Sequence, residues 1–328
     1  MNNSIRSLGM RRRQLLGAAA TAALGCSIPA WADRFPARPV KIVLPQPAGG
    51  AADRLARILA LRLEAKWNQS VVVENKPGGG VVIGTLAAAR SAPDGYTFAL
   101  LGSSLSINAV QRTDLPYDAL KDLQPLARVG YYTVALLAPA SFPAHNVAEL
   151  IALAKKQPGK LSFGSNGIGT SAQIAGEMLN HMGGIRMLHI PYNGAAKLYN
   201  DMVGGLVPLG FAVASSADAF IKAGQLKVLG VTSAKRSPQY PQWPTIAETL
   251  PGYEVVNWAG FCAPAGLPSA VTQQLASDLQ AVLAEPDVVR QIADMGIELS
   301  PQDPAAFAAF LRTEIDSFRA VMRPLTIK

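Results

Sequence analysis

Apolar, β-branched runs alternate with helical patterns along nearly the whole chain. The runs predict strands at 39–44, 70–74, 96–101, 131–138, 160–164, 187–190, 208–212, 226–232 and 254–262. Between them apolar residues recur at helical spacing, as Leu55, Ile58, Leu59 and Leu63 do within 51–65. Further helices are expected at 147–157, 171–182 and 195–203, and a C-terminal set at 268–283, 286–295 and 303–321. Such alternation implies an α/β fold of mainly parallel sheets with helices on both faces. The strands read as continuous apolar runs, which sheets covered on both sides require.

One strand-to-helix junction has an echo. Val40-Lys-Ile-Val-Leu44 empties into Pro45-Gln-Pro-Ala-Gly-Gly50, and helix 51–65 follows. About 120 positions later, Lys160-Leu-Ser-Phe-Gly164 leads through Ser165, Asn166, Gly167, Gly169 and Thr170 into another helix. The two look like equivalent elements of two similar lobes. The chain is expected to cross between them near 131–136 and 250–256, giving 33–133 with 254–328 as lobe 1 and 134–253 as lobe 2.

The N-terminus stands apart. Arg11-Arg-Arg13, a short Ala/Gly-rich apolar run and Ala30-Trp-Ala32 have the order of an export signal, so residues 1–32 are expected to be cleaved. Arg12-Arg13 fits a twin-arginine pattern loosely, leaving the Tat and Sec routes both open. Cys26 sits in a poor lipoprotein box, and lipid anchoring there is not expected. Of 30 basic residues, four arginines leave with the signal, so 26 face 22 acidic side chains and the net charge falls from +8 to +4. That is too little for a nucleic-acid footprint but suits a small anionic ligand. Cys262 would then be the single thiol, unable to form an internal disulfide.

The candidate chemistry gathers at strand ends. Gly49 and Gly50 let backbone approach a ligand, and the first N–H groups of the following helix lack internal partners and carry partial positive charge. Asp53, in the first turn, either caps free N–H groups or faces the ligand. Ser165, Asn166, Thr170 and Ser171 exceed what one N-cap needs. Tyr192, Asn193 and Gly194 follow strand 187–190, and Ser103 and Ser104 follow strand 96–101. In open α/β sheets ligands collect at such carboxyl ends, so a binding cleft is expected. Gly167-Ile-Gly169 resembles a dinucleotide fingerprint, but the next strand ends His189-Ile-Pro-Tyr-Asn193 without the acid that would hold a ribose. No nucleophile elbow, Walker loop or zinc motif is present. His145, His181 and His189 lack metal-ligand spacing, and neither metal nor cofactor is expected.

Phe35-Pro-Ala-Arg-Pro-Val-Lys-Ile-Val43, the Pro-Ala-Gly-Gly turn with Asp53, and Val72-Val-Glu-Asn-Lys-Pro-Gly78 resemble the tripartite tricarboxylate transporter receptors, the Bug-type periplasmic binding proteins. So do Pro93-Asp-Gly-Tyr96, Leu115-Pro-Tyr-Asp118, Val231-Thr-Ser-Ala-Lys-Arg236, Pro244-Thr-Ile-Ala-Glu248 and Ala263-Pro-Ala-Gly-Leu-Pro268. The resemblance spans the chain beyond the leader. It implies a periplasmic monomer with a two-lobed, Venus-flytrap fold that closes on a small carboxylate-bearing solute and serves a membrane permease or a sensor kinase. It places Pro47, Ala48, Gly49, Gly50, Asp53, Ser103 and Ser104 on one side of the cleft. Ser165, Gly169, Thr170, Tyr192, Gly194, Ala214 and Ser215 fall on the other. Gln46, Asn166 and Gln173 depart from the family pattern, which commonly has Phe, a smaller Ser or Gly, and His there. They predict an amide-rich mouth. The competing reading is an exported enzyme acting on a carboxylate, with Asp53 and His189 as the only pair that could supply its chemistry.

Overall fold

In the computed structural model, residues 35–323 are described, and the expected export signal with Cys26 lies outside them. The first half-chain runs β1 (Val40–Leu44), α1 (Ala51–Trp67), β2 (Val71–Asn75), α2 (Val82–Ala89), β3 (Thr97–Gly102), α3 (Ser104–Gln111) and β4 (Leu123–Tyr132). A second set follows: β5 (Val134–Pro139), α4 (Val147–Lys156), β6 (Ser162–Ser165), α5 (Ser171–Gly183), β7 (Leu188–Pro191), α6 (Ala195–Val203), β8 (Leu209–Val213), α7 (Ala214–Lys222) and β9 (Leu226–Val231). The chain then returns through β10 (Asn257–Pro264), α8 (Ser269–Leu283), α9 (Pro286–Asp294), β11 (Ile297–Gln302) and α10 (Pro304–Met322).

Two separate sheets result. The first has the order β11-β4-β10-β3-β1-β2 and the second β7-β6-β8-β5-β9. β1 pairs in parallel with β2 and β3, while β10 lies antiparallel between β3 and β4. In the second sheet β6 is parallel to β7 and β8, and β5 is antiparallel to β8 and β9. The sheets are therefore mixed, and the reversed strands have a topological cause. β5 and β10 are the strands by which the chain enters each sheet from the other, so they run against the strands that deliver loops outward. β11 is the other reversed strand, at the edge beside β4. The carboxyl ends of β1–β4 and of β6–β9 consequently lie at the ends of the two sheets that meet at the crossovers, the position where α/β sheets bind ligands.

The expected strand 131–138 is two strands that share no sheet. Tyr131-Tyr-Thr-Val-Ala-Leu136 carries no Gly or Pro at the point where it changes lobe, so the apolar run hides the break. Thr133 is the crossing residue: its O accepts from Ala214 N at 2.8 Å, and its hydroxyl bonds Ser237 at 3.1 Å.

Each lobe has its own apolar interior. Leu101, Leu105, Trp258, Phe307 and Leu311 pack together in the first, and Leu136, Phe163, Ile174, Leu179 and Phe211 in the second. Each such side chain, fully buried, contributes roughly 1.5–3 kcal/mol. α10 belongs to both: Phe307, Leu311 and Ile315 lie in the first core, while Phe318 and Met322 join the second. Cys262 is buried and its thiol pKa is raised by that burial, so it packs as an apolar residue. Trp258 and Phe261 are core, and Trp243 stacks on Tyr240 at 4.2 Å.

Candidate functional site

The first loop, 45–50, is tied down from below and open above. Gly49 takes φ +85°, a conformation that disfavours side chains, and nothing lies within 4 Å of a Cβ built on it. Its N–H donates to Asp53 Oδ2 at 3.0 Å. Asp53 turns inward: Arg57 donates to both its oxygens at 3.0 Å, and Asn75 donates to Oδ1 at 3.0 Å and to Gln46 O at 3.1 Å. Burial alone would raise the Asp53 pKa, but the hydrogen bonds from Arg57, Gly49 and Asn75 outweigh it and hold the carboxylate low. Asp53 is thus the anchor of the loop, with both carboxylate oxygens taken up by these donors. An acid and a base four residues apart on one helix face make this arrangement available.

Above that anchor the start of α1 has no side-chain cap, its N-cap being Gly50. Pro47, Ala48, Gly49 and Gly50 are exposed. Gln46 is half-buried, and its Oε1 is buried with no hydrogen-bond partner. Ser104 opens α3, which also has no side-chain cap. Its neighbour Ser103 is committed to the return crossover, donating to Val256 O and accepting from Trp258 N, both at 3.1 Å.

The second loop, 165–170, consumes most of its own polarity. Ser165 Oγ lies 2.6 Å from His189 Nε2 and also bonds the Gly167 O and N–H. Thr170 Oγ1 donates to Gly167 O at 2.7 Å and accepts from Gln173 N at 3.3 Å, the N-cap of α5. Gln173 is 1% exposed and its Oε1 accepts from Gly169 N at 2.8 Å. The amide expected at the mouth is therefore a brace beneath it. Ser171 is buried as well. Asn166 remains exposed at the tip. His189 stacks on Phe163 at 5.1 Å, and burial pushes its pKa down to about 4.

Five further positions complete the second side. Tyr192 is buried and donates its hydroxyl to Asp201 at 2.9 Å, so it builds the loop, while Asn193 beside it is exposed. Gly194, at φ +115°, is the N-cap of α6 with no side-chain cap. Ala214 is buried with its N–H on Thr133 O, whereas Ser215 Oγ is buried without a partner. Asp53 and His189, the pair considered for catalysis, are each held within their own lobe by the partners just named.

The lobes touch at Gly169, an expected site residue, and at Asn108, Gly80 and Ile168, which pattern reading passed over. A Cβ on Gly169 would stand 2.6 Å from Asn108 Oδ1, and one on Gly80 would stand 3.0 Å from Ile168 O. Asn108, 1% exposed on α3, also donates to Gly80 O at 2.8 Å. Gly78, Gly79 and Gly80 all have positive φ, and three consecutive glycines after a strand were a readable signal. A lone Asn in a short helix was not.

The tripartite tricarboxylate transporter family receptor model matches residues 55–326. A UPF0065 protein of the tcbD-tcbE intergenic region in Pseudomonas sp. (strain P51) is 34% identical over 314 residues, 95% of this chain and 94% of the relative. Among solved structures, the periplasmic binding protein BugD superposes with a TM-score of 0.81 at 34% identity, covering 88% of this chain and 98% of BugD. A protein of R. palustris solved with adipate gives 0.83 at 30% identity, covering 88% and 97%. With a two-lobed α/β architecture and glycine-rich loops at the facing strand ends, the chain belongs to the tripartite tricarboxylate transporter receptor family, whose members are periplasmic solute-binding proteins.

Proposed function

We propose that the cleft takes a small organic acid by its carboxylate, with the uncapped start of α1 as the principal anion site. The observation that carries this reading is the open N-terminus of a 17-residue helix whose first-turn acid, Asp53, faces inward beneath the loop. Charge-assisted hydrogen bonds from such N–H groups contribute roughly 1.5–3 kcal/mol each, with no need for a buried lysine. The adipate held by the R. palustris relative supports the same ligand class.

Pro47, Ala48, Gly49, Gly50 and Ser104 form the first wall, and Asn166, Asn193, Gly194 and Ser215 the second. Gln46 and Ser215, each with a buried unpartnered oxygen, select among acids by what they can bond beyond the carboxylate. Closure is favoured because only the closed state gives one ligand both walls. The ligand leaves unchanged, for delivery to a membrane permease or a sensor.

Thermal-shift screening of residues 33–328 against mono- and dicarboxylates tests the reading. Saturable stabilisation by one acid, recovered intact after incubation, is the expected result. Turnover of that acid would favour an enzyme, and a flat response to every carboxylate would remove the proposed ligand class.

A further inference from the structure

The end of the second sheet opposite its ligand loops has a chemistry of its own. Strands β6, β7, β8 and β9 start there and β5 finishes there. Five segments meet at this end: 138–146, 155–161, 181–187, 202–208 and 221–227. Backbone hydrogen bonds tie neighbours together, Gly159 N to Arg186 O at 3.1 Å and Ala140 N to Gln225 O at 2.9 Å.

None of the five segments contains Asp or Glu. They carry Lys155, Lys156, Lys160, Arg186 and Lys222, all exposed, and Lys227, which is half-buried and donates to Phe142 O. Among the described residues, the ion pairs of 134–253 are Lys197 with Asp201 and Arg236 with Glu248, so the five exposed cations face solvent. Asp218, one turn before Lys222 on α7, senses its charge without pairing with it. Charge is uneven along the whole chain. Residues 134–253 hold nine basic and five acidic side chains, whereas 33–133 with 254–328 hold seventeen of each. The net +4 that remains without the export signal is therefore carried by 134–253, and six of its nine cations stand at this one end.

Aliphatic side chains project from the same surface. Leu206 is 73% exposed in the loop between α6 and β8, Leu188 is 66% exposed at the start of edge strand β7, and Val203 ends α6 at 42%. A cluster of cations with isolated aliphatic side chains among them suits a lipid surface, where lysine and arginine gather anionic headgroups and leucine enters the acyl boundary. Single-stranded nucleic acid would call for stacking platforms, but Phe142, the sole aromatic of the five segments, is buried.

We propose that this end of the second sheet docks on a bilayer of anionic phospholipid. The contact is electrostatic and reversible, with Leu206 set into the interface. The ligand loops lie at the other end of the same strands, so the docked protein keeps them in solution.

The test is co-sedimentation of residues 33–328 at neutral pH with vesicles of phosphatidylcholine alone and of equal parts phosphatidylcholine and phosphatidylglycerol. Partitioning onto the anionic vesicles should be at least about tenfold stronger and should disappear in high salt. Lys156→Glu with Lys160→Glu should weaken it at least about tenfold. Arg90→Glu with Arg312→Glu makes the same charge change at exposed sites outside 134–253 and should weaken it no more than about threefold. Leu206→Ser, which leaves the charge alone, should cost about threefold. Equal binding to both vesicles, no binding, equal losses in the two double variants, or unchanged binding by Leu206→Ser would overturn the proposal. So would capture by immobilised polyglutamate without capture by vesicles, which would name an acidic protein as the partner. The acid-binding response of the cleft serves as the control and should be unaffected in every variant.

Discussion

Loops 45–50 and 165–170 occupy equivalent places in the two lobes and look alike in composition, yet they differ in where their polar groups point. In the first, Asp53 and Asn75 lie beneath the loop and the start of α1 is left open. In the second, Ser165, Thr170 and Gln173 bond the loop itself and cap the helix. One loop, on the function proposed above, is the anion cradle. The other is a stiff wall whose exposed contribution is Asn166 and whose buried Gly169 meets Asn108 across the cleft. Two glycine-rich turns at strand ends are therefore not two equal binding sites.

The sharpest way to break this asymmetry is Gly49→Val. A β-branched residue cannot hold φ +85° without strain, so the amides at the start of α1 are displaced. Affinity for the acid that stabilises the native chain should fall about 100-fold, or ~2.7 kcal/mol, in calorimetry. Circular dichroism should stay native. Gly194→Val, at φ +115° on the opposite wall, should cost less, and equal losses would erase the distinction between the walls.

Acid separates the loops in a second way. His189, beneath the second loop, has a folded pKa of about 4, against an ordinary value near ~6.5. Between these values the unfolded chain binds a proton that the folded chain does not. Stability from this group is complete above pH ~6.5 and is lost as pH falls to about 4, by roughly 3 kcal/mol. Denaturant titrations of wild type and His189→Gln should diverge over that window, the variant losing less. Asp53, the titratable anchor of the first loop, is held low and adds nothing there. Parallel curves would mean that His189 is not buried neutral.

Contact across the cleft gives a smaller effect. Gly169→Ala puts a methyl 2.6 Å from Asn108 Oδ1 and strains a φ of +73°, so closure should be hindered and affinity should fall about tenfold, ~1.4 kcal/mol. Adding Asn108→Ala should restore part of the loss. Additive losses in the double variant would show that the pair does not meet when ligand is bound. Smallest in stability is Gln46→Phe, which removes an unpartnered buried oxygen. The order in which different acids bind should change while Tm moves by only a degree or two, roughly 0.5 kcal/mol. Matching competition profiles would take Gln46 out of the mouth.

Much of the fold was legible because alternating periodicities report it directly. β1, α1, β6 and α5 lie where their patterns predicted. β4 and β11 were missed for physical reasons: β4 carries Gln124, Pro125, Arg128 and Gly130 within one strand, and β11 contains Pro301. The short helices α3 and α7 begin directly at strand ends among Gly, Ser and Ala, and α2 follows the glycines 78–80, where nothing in the pattern separates helix from loop. The placing of the glycine-rich loops at strand ends was legible, but the orientation of their polar side chains was not. Ser165, Tyr192 and Asp53 are the residue types a ligand would need, and also the types a loop needs to hold itself. Only the partners found in three dimensions, His189, Asp201 and Arg57, tell the two apart.

The central claim rests on amide hydrogens at the start of α1, and they can be watched directly. In an amide-resolved NMR titration with the stabilising acid, Gly50, Ala51 and Ala52 N–H resonances should move downfield together and saturably, at the concentration where the thermal shift saturates. If those three stay in place while the acid binds, the carboxylate is held elsewhere and the account of this cleft is contradicted.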